Sequence, residues 1–201
     1  GCQFLGGHDN PTAPSGPPQA GSSVVYSVVG ASDAVGVGAS RPCLPFEDCD
    51  GTGYPWVAAR QLRALGYLVT VKQLGLPAAV VSRRFQDLAV QSGRTDLILN
   101  LIESAMPFVD KAATVVTVFA GANDVNVITG ALGAGLGGSD PAGFIDQRVA
   151  GFASDYVTLV NGIRDRARGA QIVVLNLPNV AGLPYLASAP LERKQAAQRS
   201  E

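Results

Sequence analysis

Val24–Gly38, VVYSVVGASDAVGVG, decides the fold. Four β-branched residues, Val24, Val25, Val28 and Val29, make an apolar run that stops at Gly30-Ala31-Ser32-Asp33. Side chains of this kind fit the pleated, buried surface of a strand. Small residues directly after them mark a sharp turn. The stretch therefore reads as a strand crossing the core, with Ser32 left at its carboxyl end. In open α/β sheets ligands bind outside the carboxyl ends of the strands, so Ser32 is the first candidate functional residue.

Downstream, strand and helix patterns alternate. Tyr54–Leu65 places Trp56, Ala59, Leu62 and Leu65 at helical spacing, and Gly66 ends it. Tyr67–Leu74 reads as a second strand that ends in Gly75-Leu76-Pro77-Ala78. Ser82–Ile102 reads as mostly helical, with an interruption at Ser92-Gly93. Ala112–Phe119, AATVVTVF, is apolar without alternation, the pattern of a central parallel strand, and runs into Gly121-Ala122-Asn123-Asp124. Gly130–Ser139, GALGAGLGGS, closes no strand and lacks GxGxxG spacing. It reads as a mobile loop near the site rather than a phosphate cradle. Asp140 and Pro141 open a long helix as N-cap and first-turn proline. It reaches to about Arg168, with Phe144, Val149, Phe152, Tyr156, Leu159, Val160 and Ile163 as its buried stripe. Arg164, Arg166 and Arg168 suit the negative end of its dipole, and Gly169 stops it. Ala170–Leu177 reads as a fourth strand, Pro178–Pro184 as loop and Pro190–Glu201 as helix-prone.

Unalternating strands separated by helices predict an α/β fold with a mainly parallel sheet covered on both faces. No repeat or second-domain boundary interrupts residues 22–201. The sequence reaches Glu201 in a helix-prone segment, before a fifth strand that would cover the sheet edge. The reading is a C-terminally incomplete domain behind a flexible tether over residues 1–21.

Apolar residues make up 47% of the 201 and charged residues 15%, which favours a buried core over disorder. The net charge of −1 offers no electrostatic basis for binding nucleic acid or an acidic membrane surface. No apolar run approaches the roughly 18–20 residues that span a bilayer. The Gly/Pro/Ser/Asn/Gln-rich start to Gly21 cannot bury a core. Gly1-Cys2 resembles the end of a bacterial lipoprotein processing site and makes Cys2 a candidate lipid anchor, although Gly1 reads equally as a cloning remnant. Cys43 and Cys49 bracket CLPFEDC. Zinc pairs usually sit closer, and neither a second pair nor a suitable histidine completes a site. A local disulfide is the better reading, against two reduced thiols, and it implies export to the periplasm, the cell surface or the medium. No metal or cofactor is expected.

Three strand ends carry distinctive residues: Ser32, Ala78 and Asn123. Parallel strands bring such ends to one edge of the sheet. The arrangement suits acyl transfer, with a serine attacking a carbonyl carbon while the backbone N–H groups at Ser32 and Ala78 and the amide of Asn123 receive the oxyanion.

Gly30-Ala31-Ser32-Asp33 resembles the first block of the SGNH/GDSL hydrolases. Leu74–Ala78, LGLPA, is similar to their intervening glycine block, and Gly121-Ala122-Asn123-Asp124 resembles their GxND block. The resemblance covers about Val24 to the end of the sequence. It implies a flavodoxin-like three-layer sandwich and activity on esters of small molecules, lipids or acylated sugars. It casts Ser32 as nucleophile and oxyanion donor, Asn123 as side-chain oxyanion donor, and Ala78 as occupant of the glycine position. Ala31 and Asp33 replace the Asp and Leu of the GDSL string, and Ala78 replaces a glycine. The family's Asp-x-x-His block, which supplies the general base, has no counterpart. The one histidine, His8, lies in the tether and reads as a solvated linker residue. Without a base the serine hydroxyl stays protonated, and loss of a triad histidine costs several orders of magnitude in rate. This chain alone is therefore expected to be inactive or very weak.

The alternative is a non-catalytic carbohydrate- or acyl-binding module on the same fold. A flavodoxin-like nucleotide site is disfavoured, since GASDAVGVG offers few donors and Asp33 repels phosphate. Asp33 and Asp124 read as helix caps, and Tyr54 and Trp56 as core or rim.

Overall fold

Strand β1 (Ser23–Gly30) lies inside a sheet, and this is why its valines do not alternate with polar residues. It pairs in parallel with β2 (Leu68–Gly75) on one side and β3 (Val115–Phe119) on the other. Strand β4 (Gln171–Val174) continues the sheet beyond β3, for a four-stranded, all-parallel order β2-β1-β3-β4. The computed structural model describes residues 19–44, 49–94, 99–179, 182 and 188–200. Cys2, His8 and most of the expected tether lie outside them. Gly21, the last tether residue, donates its N–H to the Gly66 carbonyl at 2.8 Å.

Successive side chains of β1 point to opposite faces. Val24, Tyr26 and Val28 pack with Tyr54, Ala58 and Leu62 of helix α2 (Tyr54–Ala64). Val25 and Val29 join Val116, Val118 and Leu74 in the larger core on the other face. That core is closed by α3 (Arg83–Gln91), α4 (Leu101–Ser104), α5 (Ala122–Gly133) and α6 (Pro141–Arg166). Between β1 and α2 lies the short α1 (Ser32–Val35), and α7 (Leu191–Arg199) packs on α5 through Ala197 and Val125. The architecture is a flavodoxin-like α/β sandwich of three layers.

Helix α6 follows its sequence signals. The Asp140 side chain accepts from Gly143 N–H at 2.9 Å, Pro141 opens the first turn, and Leu159 and Ile163 are buried. Cys43 and Cys49 are joined in a disulfide. Three expectations are corrected. The Ser82–Ile102 stretch breaks at Ser92-Gly93 as expected, but beyond α3 it is not mostly helical: Asn100 forms a parallel bridge with Val80 that returns the chain to the core. Asn100 then caps α4 by accepting from Glu103 N–H at 2.9 Å. The loop expected over Gly130–Ser139 begins as helix, because α5 runs on to Gly133 with Ala131 buried. The remaining turn sits about 15 Å along α5 from Asn123, away from the sheet edge that carries Ser32. Finally, Asp33 is not a cap: Ala31 holds the N-cap position of α1 without a side-chain bond, and Asp33 lies exposed in the first turn.

Candidate functional site

The carboxyl edge of the sheet is fixed by hydrogen bonds across three strand ends. Gly30 stands opposite Gly75 on one side and Phe119 on the other. Leu76 N–H donates to the Gly30 carbonyl at 2.9 Å, and Ala31 N–H to the Phe119 carbonyl at 3.3 Å. Two residues beyond Gly30, Ser32 opens α1, half-buried.

Helix α1 sits so close to the sheet that glycines are required beneath it. A Cβ on Gly30 would stand 2.4 Å from the Phe119 carbonyl oxygen and 2.9 Å from Ala34 Cβ. One on Gly75 would stand 2.8 Å from the same Ala34 Cβ. Gln73 clamps the crossing. Its buried amide donates to the Ala34 carbonyl at 2.6 Å and accepts from Gly75 N–H at 2.8 Å. Ser32 is thus held by two glycines and a buried amide belonging to other residues.

Ala78 has φ +62°, the only positive φ at a non-glycine position among the described residues. An L-residue with a Cβ is strained there by about 1 kcal/mol or more. Ala78→Gly should therefore leave the fold intact and stabilise it by up to about 1 kcal/mol, whereas Ala78→Val should destabilise it, since a β-branched residue tolerates this region least. Urea denaturation midpoints of the two variants give the comparison.

Asn123 sits in the first turn of α5, after Gly121 at φ +128°. Its Nδ2 donates to the Ala79 carbonyl at 2.8 Å. One of its two amide N–H groups is thereby committed to the loop carrying Ala78, and the amide plane is fixed. The structure joins Asn123 directly to the residue after Ala78, and Ser32 follows the strand that lies between theirs.

Asp124, expected as a helix cap, instead lies inside the first turn of α5, where Gly121 holds the N-cap position without a side-chain bond. It is 1% exposed, and its Oδ1 accepts from Val81 N–H at 2.9 Å. Asn123 and Asp124 together pin the Ala79–Val81 segment against the start of α5. Burial pushes the Asp124 carboxyl up to about 7, the Val81 amide opposes the shift, and Asp155 adds to it. Asp124 Oδ2 and the Tyr156 hydroxyl are both buried without a hydrogen-bond partner among the described residues. Burial and the neighbouring Asp124 push the Tyr156 phenol up to about 12. Asp155 itself accepts from Ser82 Oγ at 2.6 Å and pairs with Arg84 at 3.1 Å. The missed signal was the helical pattern Asp124, Val127, Ile128, Ala131, which puts the carboxylate on the buried stripe of α5.

On the opposite face, Thr117 Oγ1 bonds the hydroxyls of Tyr26 at 2.9 Å and Tyr54 at 3.3 Å. Burial pushes the Tyr26 phenol up to about 12 and raises Tyr54 further. Trp56 is buried, and Tyr54 packs edge-on to Phe119. Both are packing residues. Among the described residues no group of three or more His, Cys, Asp or Glu is placed to hold a metal ion, and no helix is long and apolar enough to cross a membrane.

No family model matches the chain, and no curated protein does. Solved structures are similar. Phospholipase A1 from Streptomyces albidoflavus NA297 aligns with a TM-score of 0.50 and 16% identity, covering 88% of this chain and 72% of the enzyme. The lipase Lip_vut3 from a goat rumen metagenome aligns with a TM-score of 0.52 and 18% identity, covering 88% of this chain and 73% of the lipase. The chain carries the three-layer α/β fold of these two enzymes, the architecture that its resemblance to the SGNH/GDSL hydrolases implies.

Proposed function

We propose that the protein is an exported serine hydrolase of carboxylic esters of the SGNH/GDSL type, formed by residues 22–201. Ser32 Oγ attacks the ester carbonyl carbon while a general base takes its proton. The carbonyl oxygen becomes an oxyanion, received by Ser32 N–H, Ala78 N–H and the second amide N–H of Asn123. Collapse expels the alkoxide, which takes the proton back from the base, and water then hydrolyses the acyl-Ser32 ester. The observation that carries this reading is the left-handed backbone of Ala78. Alanine there adopts the conformation a glycine favours, at the position where the resemblance places a glycine, beside the anchored Asn123. The disulfide supports export, and Cys2 is the proposed lipid anchor. The two similar enzymes, a lipase and a phospholipase, favour lipid esters among the substrates.

No histidine lies among the described residues. The reaction therefore requires a base from outside them. The same observation favours the second reading, a non-catalytic module that binds an acyl or carbohydrate group at the same edge.

Intact-mass spectrometry of the natural protein, before and after a fluorophosphonate probe, separates the two. The hydrolase gives one adduct per chain, which disappears in Ser32→Ala. Absence of an adduct on the folded natural protein overturns the hydrolase reading and leaves the binding module. The untreated mass reports whether Cys2 carries lipid.

A further inference from the structure

A cleft of about 630 Å³ opens at the far end of α5, between the glycine-rich turn after Gly133, the first turn of α6 and one face of α7. Its volume falls in the range of small-molecule sites. Its lining on α5 runs from Thr129 to Gly133, about 9 to 15 Å along the helix from Asn123, and includes none of Ser32, Ala78 and Asn123.

The floor is apolar, with Leu132, Ile145 and Ala196. The Thr129 hydroxyl is already spent on the Asn126 carbonyl at 3.0 Å, and the remaining side-chain donors, Arg193, Gln195 and Arg199, all lie on α7. A sugar or a nucleotide buried in such a floor would leave polar groups unpaired. One wall is built by Gly133 and Gly135, and no atom lies within 4 Å of where a Cβ on either would stand. Among the described residues, no side chain fills the space beside these two glycines. The opposite wall is α7, which shows Glu192, Ala196 and Arg199 at helical spacing. Arg199 is neutralised by a bidentate pair with Asp146 on α6, at 2.7 and 3.0 Å, and this pair straps α7 across the cleft. Arg193, also on the rim, has no ion pair among the described residues.

We propose that this cleft binds a single unbranched alkyl chain bearing one anionic head, a free fatty acid, with the chain along Leu132 and Ile145 and the carboxylate at Arg193. The rim carries Glu192 beside Arg193 in sequence, so the charge match rests on the Arg193 guanidinium alone, and the apolar trough that ends at it matches that amphiphile in shape.

The test uses the natural protein carrying Ser32→Ala, so that ester chemistry cannot contribute, and the fluorescent fatty acid cis-parinarate below its micellar concentration. Saturable binding is expected at one site per chain, displaced by dodecanoate more strongly than by dodecanol. Gly133→Leu fills the cleft from a helical position with open space beside it, so it should fold normally. Ala142→Phe fills the cleft from the exposed start of α6. Each should weaken binding by roughly tenfold or more, with an unchanged melting temperature, and Arg193→Gln should erase the preference for dodecanoate over dodecanol. Undiminished affinity in both folded filling variants, or no saturable binding to the parent, overturns the proposal. So does sedimentation with phosphatidylglycerol vesicles without affinity for the free acid, which would assign the surface to membrane lipid.

Discussion

Asp124→Asn should stabilise the protein at neutral and alkaline pH and flatten the pH dependence of its stability. The Asp124 carboxyl is 1% exposed, and burial raises it from 3.8 to about 7. The unfolded chain releases this proton near pH 4, whereas the folded chain keeps it until about pH 7. Between those limits the folded state binds more protons, so its stability is greatest below about pH 4 and falls as the pH rises. It levels off above about pH 7. At about 1.4 kcal/mol per pH unit of separation, the fall is on the order of 4 kcal/mol. That is a large part of the few kcal/mol by which a domain is stable. Asparagine keeps an acceptor for Val81 N–H but cannot ionise. Urea denaturation at pH 5, 6, 7 and 8 should show a declining midpoint for the wild type and a flat one for the variant, with the widest gap at pH 8. Equal slopes would place the pH dependence elsewhere. The exposed carboxylates Glu103 and Asp146 are held low by hydrogen bonds from Arg83 and Arg199. Whatever they contribute is lost as the pH falls below the ordinary carboxylate range, outside this window.

Gly30→Ala should be the most damaging single-methyl change at the sheet edge. The new Cβ would stand 2.4 Å from a backbone carbonyl oxygen, and backbone cannot swing aside as a side-chain tip does. Relief requires β1 and β3 to part at Phe119, which breaks the bond from Ala31 N–H, and α1, which carries Ala34, to lift away from the sheet. Overpacking of this kind costs about 1–3 kcal/mol, and the lost hydrogen bond adds about 1 kcal/mol. A loss near 3 kcal/mol in denaturant unfolding is expected, together with loss of any Ser32 labelling, because Ser32 rides on the displaced segment. Gly133→Ala, with open space around it, is the control: it should be neutral or stabilising. Equal stability of the two variants would show that the edge accommodates the methyl group.

Where a residue's environment comes from its own segment, the sequence was readable. The β1 run and the turn at Ser32, the apolar β3, and the capped start of α6 all fall where pattern and punctuation put them. Ala78 and Asn123 also stand at strand ends, as the blocks implied, although their roles remain proposals. Reading failed where a distant partner decides. Asp124 looked like a cap, but its acceptor is used by Val81, 43 residues away. Gln73 lies in the strand expected over Tyr67–Leu74, where pattern alone assigns its amide no partner, yet it clamps Ala34, 39 residues away. Gly130–Gly133 looked like loop because glycine is a weak helix former, yet packing of Ala131 and Ile128 carries α5 through it.

The parallel pairing of β1 with β3 has a kinetic consequence. Tyr26 meets Val115 across 89 positions of chain, and parallel ladders of this separation close slowly because loop entropy is lost before the contact forms. The bonds from Asn123 to Ala79 and from Val81 to Asp124 can form only after β2, β1 and β3 have aligned. During refolding, α2 and α6 should gain helicity early, while protection of the Val81 amide from hydrogen exchange appears late, in one step with the sheet. A nascent chain would then hold β1 with one edge unpaired until residue 119 is free, because β3 ends at Phe119.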